Sequence, residues 1–389
     1  MSIVDRWLLP DGVEDVLPPQ ARRLEEVRRR LLDLFSTWGY DYVIPPMVEY
    51  LESLLTGTGR DLDLKTLKVT DLLSGRTLGV RADITPQVAR IDAHSLNREG
   101  VVRLCYAGTV VQSKADGMLE SRTPVSVGAE LFGDTSSRAD IEIVSLMIES
   151  LESLGFDAIH LELGDVAIFR QLVESLDLDQ NQQELLFAAV QRKAAREIIS
   201  LCEDFDLDSK DTDLLAALPD LTGDESILMA AREKFKDRPG ILTCIENLER
   251  VAAEIRERYG EASVYFDLSE LRGYAYHTGI VFAAYVEGIR QVVAKGGRYD
   301  HIGQVFGRSG RGATGFSVNV RNIVDEAAIA FEHRPTVLVT VTDKRGLWQE
   351  IQRLREEGYT VVESGDATDS DFRLIYEDDR WQLVQGELK

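Results

Sequence analysis

Three short stretches of the sequence carry side chains that together could bind a small polar ligand. Asp83 and Thr85 follow a predicted strand, and Glu130 lies inside another among apolar neighbours. A carboxylate in such a place is unfavourable unless a partner compensates it. Arg272 precedes the aromatic run Gly273-Tyr274-Ala275-Tyr276-His277. A buried carboxylate facing tyrosine and histidine rings suits a small cationic or imidazole-bearing ligand. The alternative is that Glu130 pairs with Arg272 or another arginine for structural reasons alone.

Other local patterns favour a structural interpretation. The segment from Asp71 to Thr77 is similar to a phosphoribosyl-binding loop, but it lies between two short strands, which favours a hairpin turn. The glycine-rich stretches at 295–300 and 307–312 match neither a Walker A loop nor a dinucleotide fingerprint. The five histidines lack metal-ligand spacing, and Cys105 has no base near it in sequence, so it is expected to be a buried residue.

Composition restricts the class of protein. The 389 residues include 44 Lys or Arg and 67 Asp or Glu, giving a net charge of −23. This charge repels phosphate backbones over most of the surface and disfavours nucleic acid as the main partner, with a local basic groove as the open alternative. No long apolar run or leader pattern is present, which predicts a protein that neither spans a membrane nor is secreted. Three widely spaced cysteines favour a reducing cytoplasm, and no cofactor is predicted.

The elements that must position these residues form an antiparallel sheet with helices around it. An amphipathic helix is predicted from Gln20 to Trp38 and another from Ser136 to Leu154. Strands follow one another through turns, without a helix between each pair, which indicates antiparallel pairing. Nearly continuous helix from about 166 to 260 interrupts this sheet. Strands are expected at Ile280 to Tyr285 and Arg290 to Ala294, followed by a glycine-rich stretch and a helix from about Asn319 to Phe331.

Taken in order, these segments resemble histidyl-tRNA synthetase over most of the first 330 residues. The segments that carry the resemblance are Gly39 to Glu49, similar to the class II dimer-interface motif; Arg81-Ala82-Asp83-Ile84-Thr85; Arg103 to Gly108 and Gly128 to Gly133, which open and close a second motif; Leu271 to His277; and Gly296 to Asp300. The resemblance implies an α+β fold with a class II aminoacyl-tRNA synthetase-like antiparallel sheet. The expected domains are a core at 1–332, with the helical insertion at about 166–260, and a small C-terminal α/β domain at 336–389 after a boundary at His333-Arg334-Pro335.

The resemblance also implies a histidine pocket formed by Asp83, Thr85, Glu130, Arg272, Tyr276 and His277. Two arginines that hold ATP phosphates in the synthetase are replaced here by Gln112 and Asn322. If each charge-assisted contact contributes about 1.5–3 kcal/mol, their loss weakens productive ATP binding by about 3–6 kcal/mol. Ser126 stands where the family has a glutamine that contacts the amino group. About 55 acidic-rich residues follow Pro335, fewer than an anticodon-binding domain needs.

This set of losses resembles the ATP phosphoribosyltransferase regulatory subunits, a synthetase-like group without synthetase activity. The resemblance implies a non-enzymatic chain that assembles with a short catalytic ATP phosphoribosyltransferase subunit in the first step of histidine biosynthesis. It implies a homodimer within a hetero-oligomer and histidine as the effector. The alternatives are an active or degenerate histidyl-tRNA synthetase and a free-standing histidine sensor.

Overall fold

The computed structural model describes residues 7–385 except 58, 116, 118–120, 261, 309–310, 330–333, 343 and 364–369. Its contacts divide the chain into two compact units, Met1–Ile329 and Ala330–Lys389. The predicted boundary at His333-Arg334-Pro335 falls partly on residues outside this description. None of the described helices is both long enough and apolar enough to cross a bilayer.

The larger unit is organised around one extended sheet. Its described strands are β1 (Asp41–Tyr42), β2 (Val48–Tyr50), β3 (Leu67–Thr70), β4 (Thr77–Val80), β5 (Val102–Thr109), β6 (Val125–Phe132), β7 (Ile159–Asp165), β8 (Thr222–Gly223), β9 (Ser263–Asp267), β10 (Ile280–Val286), β11 (Ala294–Arg298) and β12 (Ala313–Asn319). Nine of them form the sheet β1-β5-β6-β12-β11-β10-β7-β9-β8, and β2, β4 and β3 form a second one. Neighbours in the large sheet are antiparallel except β1 with β5 and β7 with β9, which confirms the predicted architecture.

Helices cover this sheet and form the insertion. They are α1 (Gln20–Thr37), α2 (Leu51–Leu54), α3 (Arg60–Lys65), α4 (Thr85–Arg90), α5 (Ser137–Ser153), α6 (Val166–Glu174), α7 (Gln180–Gln191), α8 (Ala195–Asp204), α9 (Ser209–Ala217), α10 (Ser226–Lys234), α11 (Pro239–Arg258), α12 (Ile302–Val305) and α13 (Val320–Ile323). The apolar stripe of α1 buries Val27, Leu31 and Phe35, as its helical spacing predicts. The helices α6 to α11 lie between β7 and β9 in the chain and form the predicted insertion.

Two predictions about the end of this unit are wrong. The strand expected at Arg290 to Ala294 begins at Ala294, so the glycine-rich stretch itself is the strand β11. The helix expected from about Asn319 ends at Ile323, and Phe331 lies outside the described residues. After α13 the chain turns to pack against α1: the Gln20 amide donates to the Asp325 carboxylate (2.9 Å). Tertiary contacts therefore end the helix earlier than the sequence pattern indicates.

In the part of the smaller unit that the structure describes, four strands form a sheet with one helix. It contains β13 (Thr336–Val339), α14 (Leu347–Glu356), β14 (Thr360–Val362), β15 (Phe372–Glu377) and β16 (Arg380–Gln385). The strand order is β14-β13-β15-β16, with parallel pairing on both sides of β13. Ile351 and Leu354 of α14 pack on Val337 and Leu374 of the sheet. This is the small α/β fold that the sequence predicts.

Candidate functional site

A cavity of about 370 Å³ lies against the face of the large sheet formed by β6, β12, β11 and β10. All six residues predicted from the sequence line it: Asp83, Thr85, Glu130, Arg272, Tyr276 and His277. The fold thus brings together residues that are up to 194 positions apart, since 277 − 83 = 194. Its wall also contains charged and polar residues that the sequence did not single out for a role: Lys65, Glu162, Gln191, Glu270, Lys295, Tyr299 and Ser317.

Glu130 is the buried carboxyl group of the cavity, with 1% of the residue exposed. The Thr85 hydroxyl donates to its Oε1 at 2.7 Å, and the Tyr299 hydroxyl donates to its Oε2. The alternative that Glu130 pairs with an arginine is wrong for the described residues, because its hydrogen-bond partners are hydroxyl groups. Burial raises the pKa of Glu130 to about 8, although the hydrogen bonds from Tyr299 and Thr85 oppose this rise. At pH 7 the group is therefore mostly protonated.

The floor of the cavity is made of glycine backbone. Gly315 pairs with Glu130 across β12 and β6, and a Cβ at this position would lie 1.6 Å from Glu130 Oε2. A Cβ at Gly297, on the same face, would lie 2.8 Å from His277 Nδ1, and one at Gly296 would point to the opposite face, 2.1 Å from the Gly315 carbonyl oxygen. Only glycine leaves room for these groups, so the glycine-rich sequence of β11 serves the cavity and not a turn.

Residues 271–277 form what we call the aromatic loop, which closes one side of the cavity. The Tyr276 ring stacks on Tyr299, with centroids 4.8 Å apart and planes at 26°. The Tyr276 hydroxyl is buried and has no hydrogen-bond partner among the described residues. The His277 Nδ1–H donates to the Arg298 carbonyl (3.3 Å), and burial lowers the pKa of this imidazole to about 4. His277 is therefore neutral at pH 7, with its Nε2 unprotonated.

The helical insertion holds the aromatic loop from outside. Arg170 of α6 donates to the carbonyl oxygens of Tyr274 (3.0 Å) and His277 (2.9 Å). The Tyr274 ring lies 5.1 Å from the ring of Phe187 in α7 and 5.5 Å from that of Phe169 in α6. These contacts were not predicted, because nothing in the sequence relates residues of the insertion to a loop about 100 positions later.

The two remaining predicted residues have partners within the chain. Asp83 is exposed, and its carboxylate accepts from the Thr85 backbone N–H (3.0 Å). The Arg272 guanidinium lies 2.9 Å from the Glu270 carboxylate and 3.7 Å from that of Glu162. Arg272 is thus held by two acidic side chains that the sequence did not single out.

The two positions that the resemblance assigns to the phosphate-binding arginines of the synthetase carry neutral side chains here. The Asn322 amide oxygen accepts from the Asn319 amide (3.1 Å), and the backbone of Gln112 accepts from Arg122 (2.9 Å). Two arginines lie next to these positions, but both are engaged within the chain. Arg122 also donates to the Asp11 carbonyl (3.1 Å), and Arg321 bonds to the Glu14 carboxylate (2.8 Å).

Two family models and many curated relatives match this chain. The sequence model of the family described as Histidyl-tRNA synthetase matches residues 12–323, and that of the ATP phosphoribosyltransferase subunit HisZ C-terminal domain matches residues 334–384. The ATP phosphoribosyltransferase regulatory subunit of Saccharophagus degradans is 49% identical over 93% of this chain and 92% of its own length. That of Azotobacter vinelandii is 48% identical over 99% of both chains.

Solved structures show the same fold. A Bacillus halodurans protein described as an ATP phosphoribosyltransferase regulatory subunit/histidyl-tRNA synthetase superposes with a TM-score of 0.80, at 26% identity and 92% coverage of both chains. The histidyl-tRNA synthetase of Nostoc sp. PCC 7120 has a TM-score of 0.75 at 16% identity, with 97% of both chains covered. At that identity the likeness concerns the fold alone. From the regulatory-subunit relatives and the match of both family models, this chain belongs to the ATP phosphoribosyltransferase regulatory subunit family.

Proposed function

We propose that the chain is a non-catalytic subunit that assembles with the short catalytic ATP phosphoribosyltransferase chain in the cytoplasm, and that histidine bound in its cavity regulates the complex. One observation carries the proposal: the six predicted amino-acid ligands line a single cavity, whereas neutral residues occupy the two positions that must hold ATP phosphates. A regulator needs only a ligand affinity that differs between two states of the complex, and it needs no bond chemistry of its own.

In this proposal Glu130 anchors the imidazole of histidine. The imidazole needs a hydrogen-bond partner inside a wall of strand residues, and the Glu130 carboxyl lies there between Thr85 and Tyr299. Asp83 has an exposed carboxylate suited to the α-amino group of the ligand. Thr85 supports both groups, since its hydroxyl donates to Glu130 and its backbone N–H to Asp83. Arg272 is the cation that the family resemblance assigns to the ligand carboxylate.

The absence of synthetase chemistry follows from the ATP side. Gln112 and Asn322 carry no charge, and the neighbouring Arg122 and Arg321 already bond to the Asp11 carbonyl and the Glu14 carboxylate. A phosphate would therefore have to displace contacts that exist within the chain. This disfavours the alternative of an active or degenerate histidyl-tRNA synthetase, whose transition state requires cations at the α- and γ-phosphates.

A homodimer within the hetero-oligomer is supported by exposed apolar side chains around the class II dimer motif. Ile44 is 76% exposed and Met47 is 45% exposed in the single chain. Tyr42, Val48 and Tyr50 are also exposed in this segment and the strand that follows it. Exposed apolar side chains grouped along one segment are typical of an interface.

Co-purification with the short catalytic chain, followed by phosphoribosyltransferase assays with and without histidine, tests the proposal. We expect a complex whose rate falls with histidine, and we expect Glu130→Gln to need more histidine for the same fall. Glu203→Gln, on the exposed side of α8, is the matched control. If the two chains do not associate while histidine still binds, the chain is a free-standing sensor. Histidine-dependent pyrophosphate exchange would instead identify a synthetase.

A further inference from the structure

Lys295 in β11 is a cation of the cavity wall that the function described so far does not use. It pairs with Ser317 of β12 on one side and with Ala283 of β10 on the other, and all three line the cavity. Alternation along a strand puts Lys295 on the same face as Gly297, the position from which a Cβ would reach His277. Burial is the main cause of the lowered pKa of His277, and the hydrogen bond with the Arg298 backbone opposes it. The positive charge of Lys295 lowers this pKa further. Its side chain thus lies on the ligand side of the sheet.

The two cations Lys295 and Arg272 differ in their partners. The Arg272 guanidinium is engaged by Glu270 at 2.9 Å and by Glu162 at 3.7 Å, so a ligand carboxylate would have to compete with two carboxylates already in place. Lys295 makes no ion pair and no side-chain hydrogen bond with any residue that the structure describes, and its side chain is exposed to the cavity. A cation without a partner binds an anion with less loss of existing interactions.

The distance along the sheet fits one amino acid. Glu130 lies in the row of Gly315 and Gly297, and Lys295 lies two residues before Gly297 in β11. Two residues of a strand span about 7 Å. If the imidazole of histidine lies at Glu130, the α-carboxylate of the same molecule lies near Lys295 and the residues paired with it, Ser317 and Ala283. The small side chain of Ala283 leaves space there.

We propose that Lys295 is the residue that binds the α-carboxylate of the ligand, with Arg272 acting as a structural partner of Glu162 and Glu270. This inference rests on the proposed histidine site and changes one contact in it. It assigns the specificity for an amino acid over an amine to a lysine in the glycine-rich strand, outside the aromatic loop.

The test compares histidine with histamine, which has the same ring and amino group but lacks the carboxylate. Calorimetry on the full chain gives the ratio of their affinities, and this ratio reports the carboxylate contact. In the wild type we expect histidine to bind about tenfold to a hundredfold more tightly than histamine. Lys295→Met should reduce this preference to less than about threefold while leaving histamine affinity nearly unchanged. Arg272→Met should keep the preference even if it weakens both ligands, and Lys65→Met is the control for a second lysine of the same wall.

The outcomes separate the two proposals. A preference for histidine that survives in Lys295→Met but disappears in Arg272→Met or Lys65→Met overturns the role of Lys295 and leaves the histidine site intact. Equal affinity of the wild type for the two ligands also overturns it, because no cation then contributes. If the wild type binds neither ligand, the proposed histidine site itself is wrong, and the role of Lys295 fails with it. Circular dichroism of each variant confirms that the fold is retained.

Discussion

Replacing Glu130 by Gln tests the centre of the proposed site, because it retains the shape of the side chain and removes its ability to ionise. Gln has one acceptor oxygen, so it accepts from one of the Thr85 and Tyr299 hydroxyls and its amide N–H donates to the other, and the cavity should keep its geometry. The interaction that this substitution removes is the hydrogen bond in which the histidine imidazole and the Glu130 carboxyl group share a proton. Such charge-assisted bonds contribute about 1.5–3 kcal/mol, so we expect histidine to bind about tenfold to a hundredfold more weakly.

The pH dependence makes this prediction sharper. The pKa of Glu130 is about 8 in the free protein, and that of a free imidazole is about 6.5. The complex holds one proton between the two groups, so between about pH 6.5 and 8 histidine binds without net proton uptake. Above pH 8 the free carboxyl group is ionised, and the complex must take up a proton. Because of this proton uptake, the wild-type affinity for histidine should fall about tenfold for each pH unit above 8. The Gln variant takes up no such proton, so its affinity should not fall in this way.

Isothermal titration calorimetry at pH 7 and pH 9, with wild type, Glu130→Gln and the exposed control Glu203→Gln, measures both effects. The ratio of wild-type to variant affinity should be about ten to a hundred at pH 7 and clearly smaller at pH 9. Taking this ratio cancels the titration of the ligand amino group, which is the same for both proteins. Unchanged histidine affinity in Glu130→Gln would refute the reasoning, and so would a ratio that does not depend on pH.

Three further predictions follow from the charges, the exposed surface and the buried carboxyl group. The isolated chain should show no histidine-dependent pyrophosphate exchange, and Gln112→Arg with Asn322→Arg should at most recover weak ATP binding; exchange at a rate typical of synthetases in the wild type would contradict this. The chain should sediment as a dimer at micromolar concentration, and Ile44→Glu with Met47→Glu should give monomers; a wild-type monomer would argue against the interface. Because the pKa of Glu130 is raised from 4.5 to about 8 on folding, its contribution to stability is fully present below about pH 4.5 and is lost as the pH rises to about 8. Between pH 5 and pH 8 the free energy of unfolding should therefore fall by a few kcal/mol more in the wild type than in Glu130→Gln, since each pKa difference of one corresponds to about 1.4 kcal/mol. Urea titrations that show the same fall in both proteins would mean that folding does not raise the pKa of Glu130.

The sequence predicted the residue types of the site better than their contacts. The burial of Glu130 followed from its apolar neighbours in a strand, and the structure confirms it. Its partners could not be deduced, because Thr85 and Tyr299 approach it from other elements and a hydroxyl group leaves no charge pattern in sequence. The sequence left an arginine open as the alternative partner, because a buried carboxylate that stays ionised needs a compensating charge. Protonation removes that need, and burial is what raises the pKa.

The errors in secondary structure have a similar cause. Glycine normally disfavours a strand interior, so the glycine-rich stretch after Ala294 does not have the sequence pattern of a strand. Its glycines are needed because a side chain at Gly297 would meet His277 and one at Gly296 would meet the Gly315 carbonyl oxygen, a fact visible only after the strands are paired. The long helix of α5 and the repeated apolar spacing of the insertion helices were predictable, because local periodicity decides them.

The glycine floor has a consequence for any compound designed to occupy this cavity. Elsewhere in a binding site, a target protein can acquire resistance through a substitution that narrows the space by one methyl group. At Gly315 even alanine would place its methyl carbon 1.6 Å from the Glu130 carboxyl oxygen, so it cannot be accommodated without displacing the group proposed to bind the natural effector. An inhibitor that lies flat against Gly315 would therefore contact a surface on which resistance and loss of regulation arise from the same mutation.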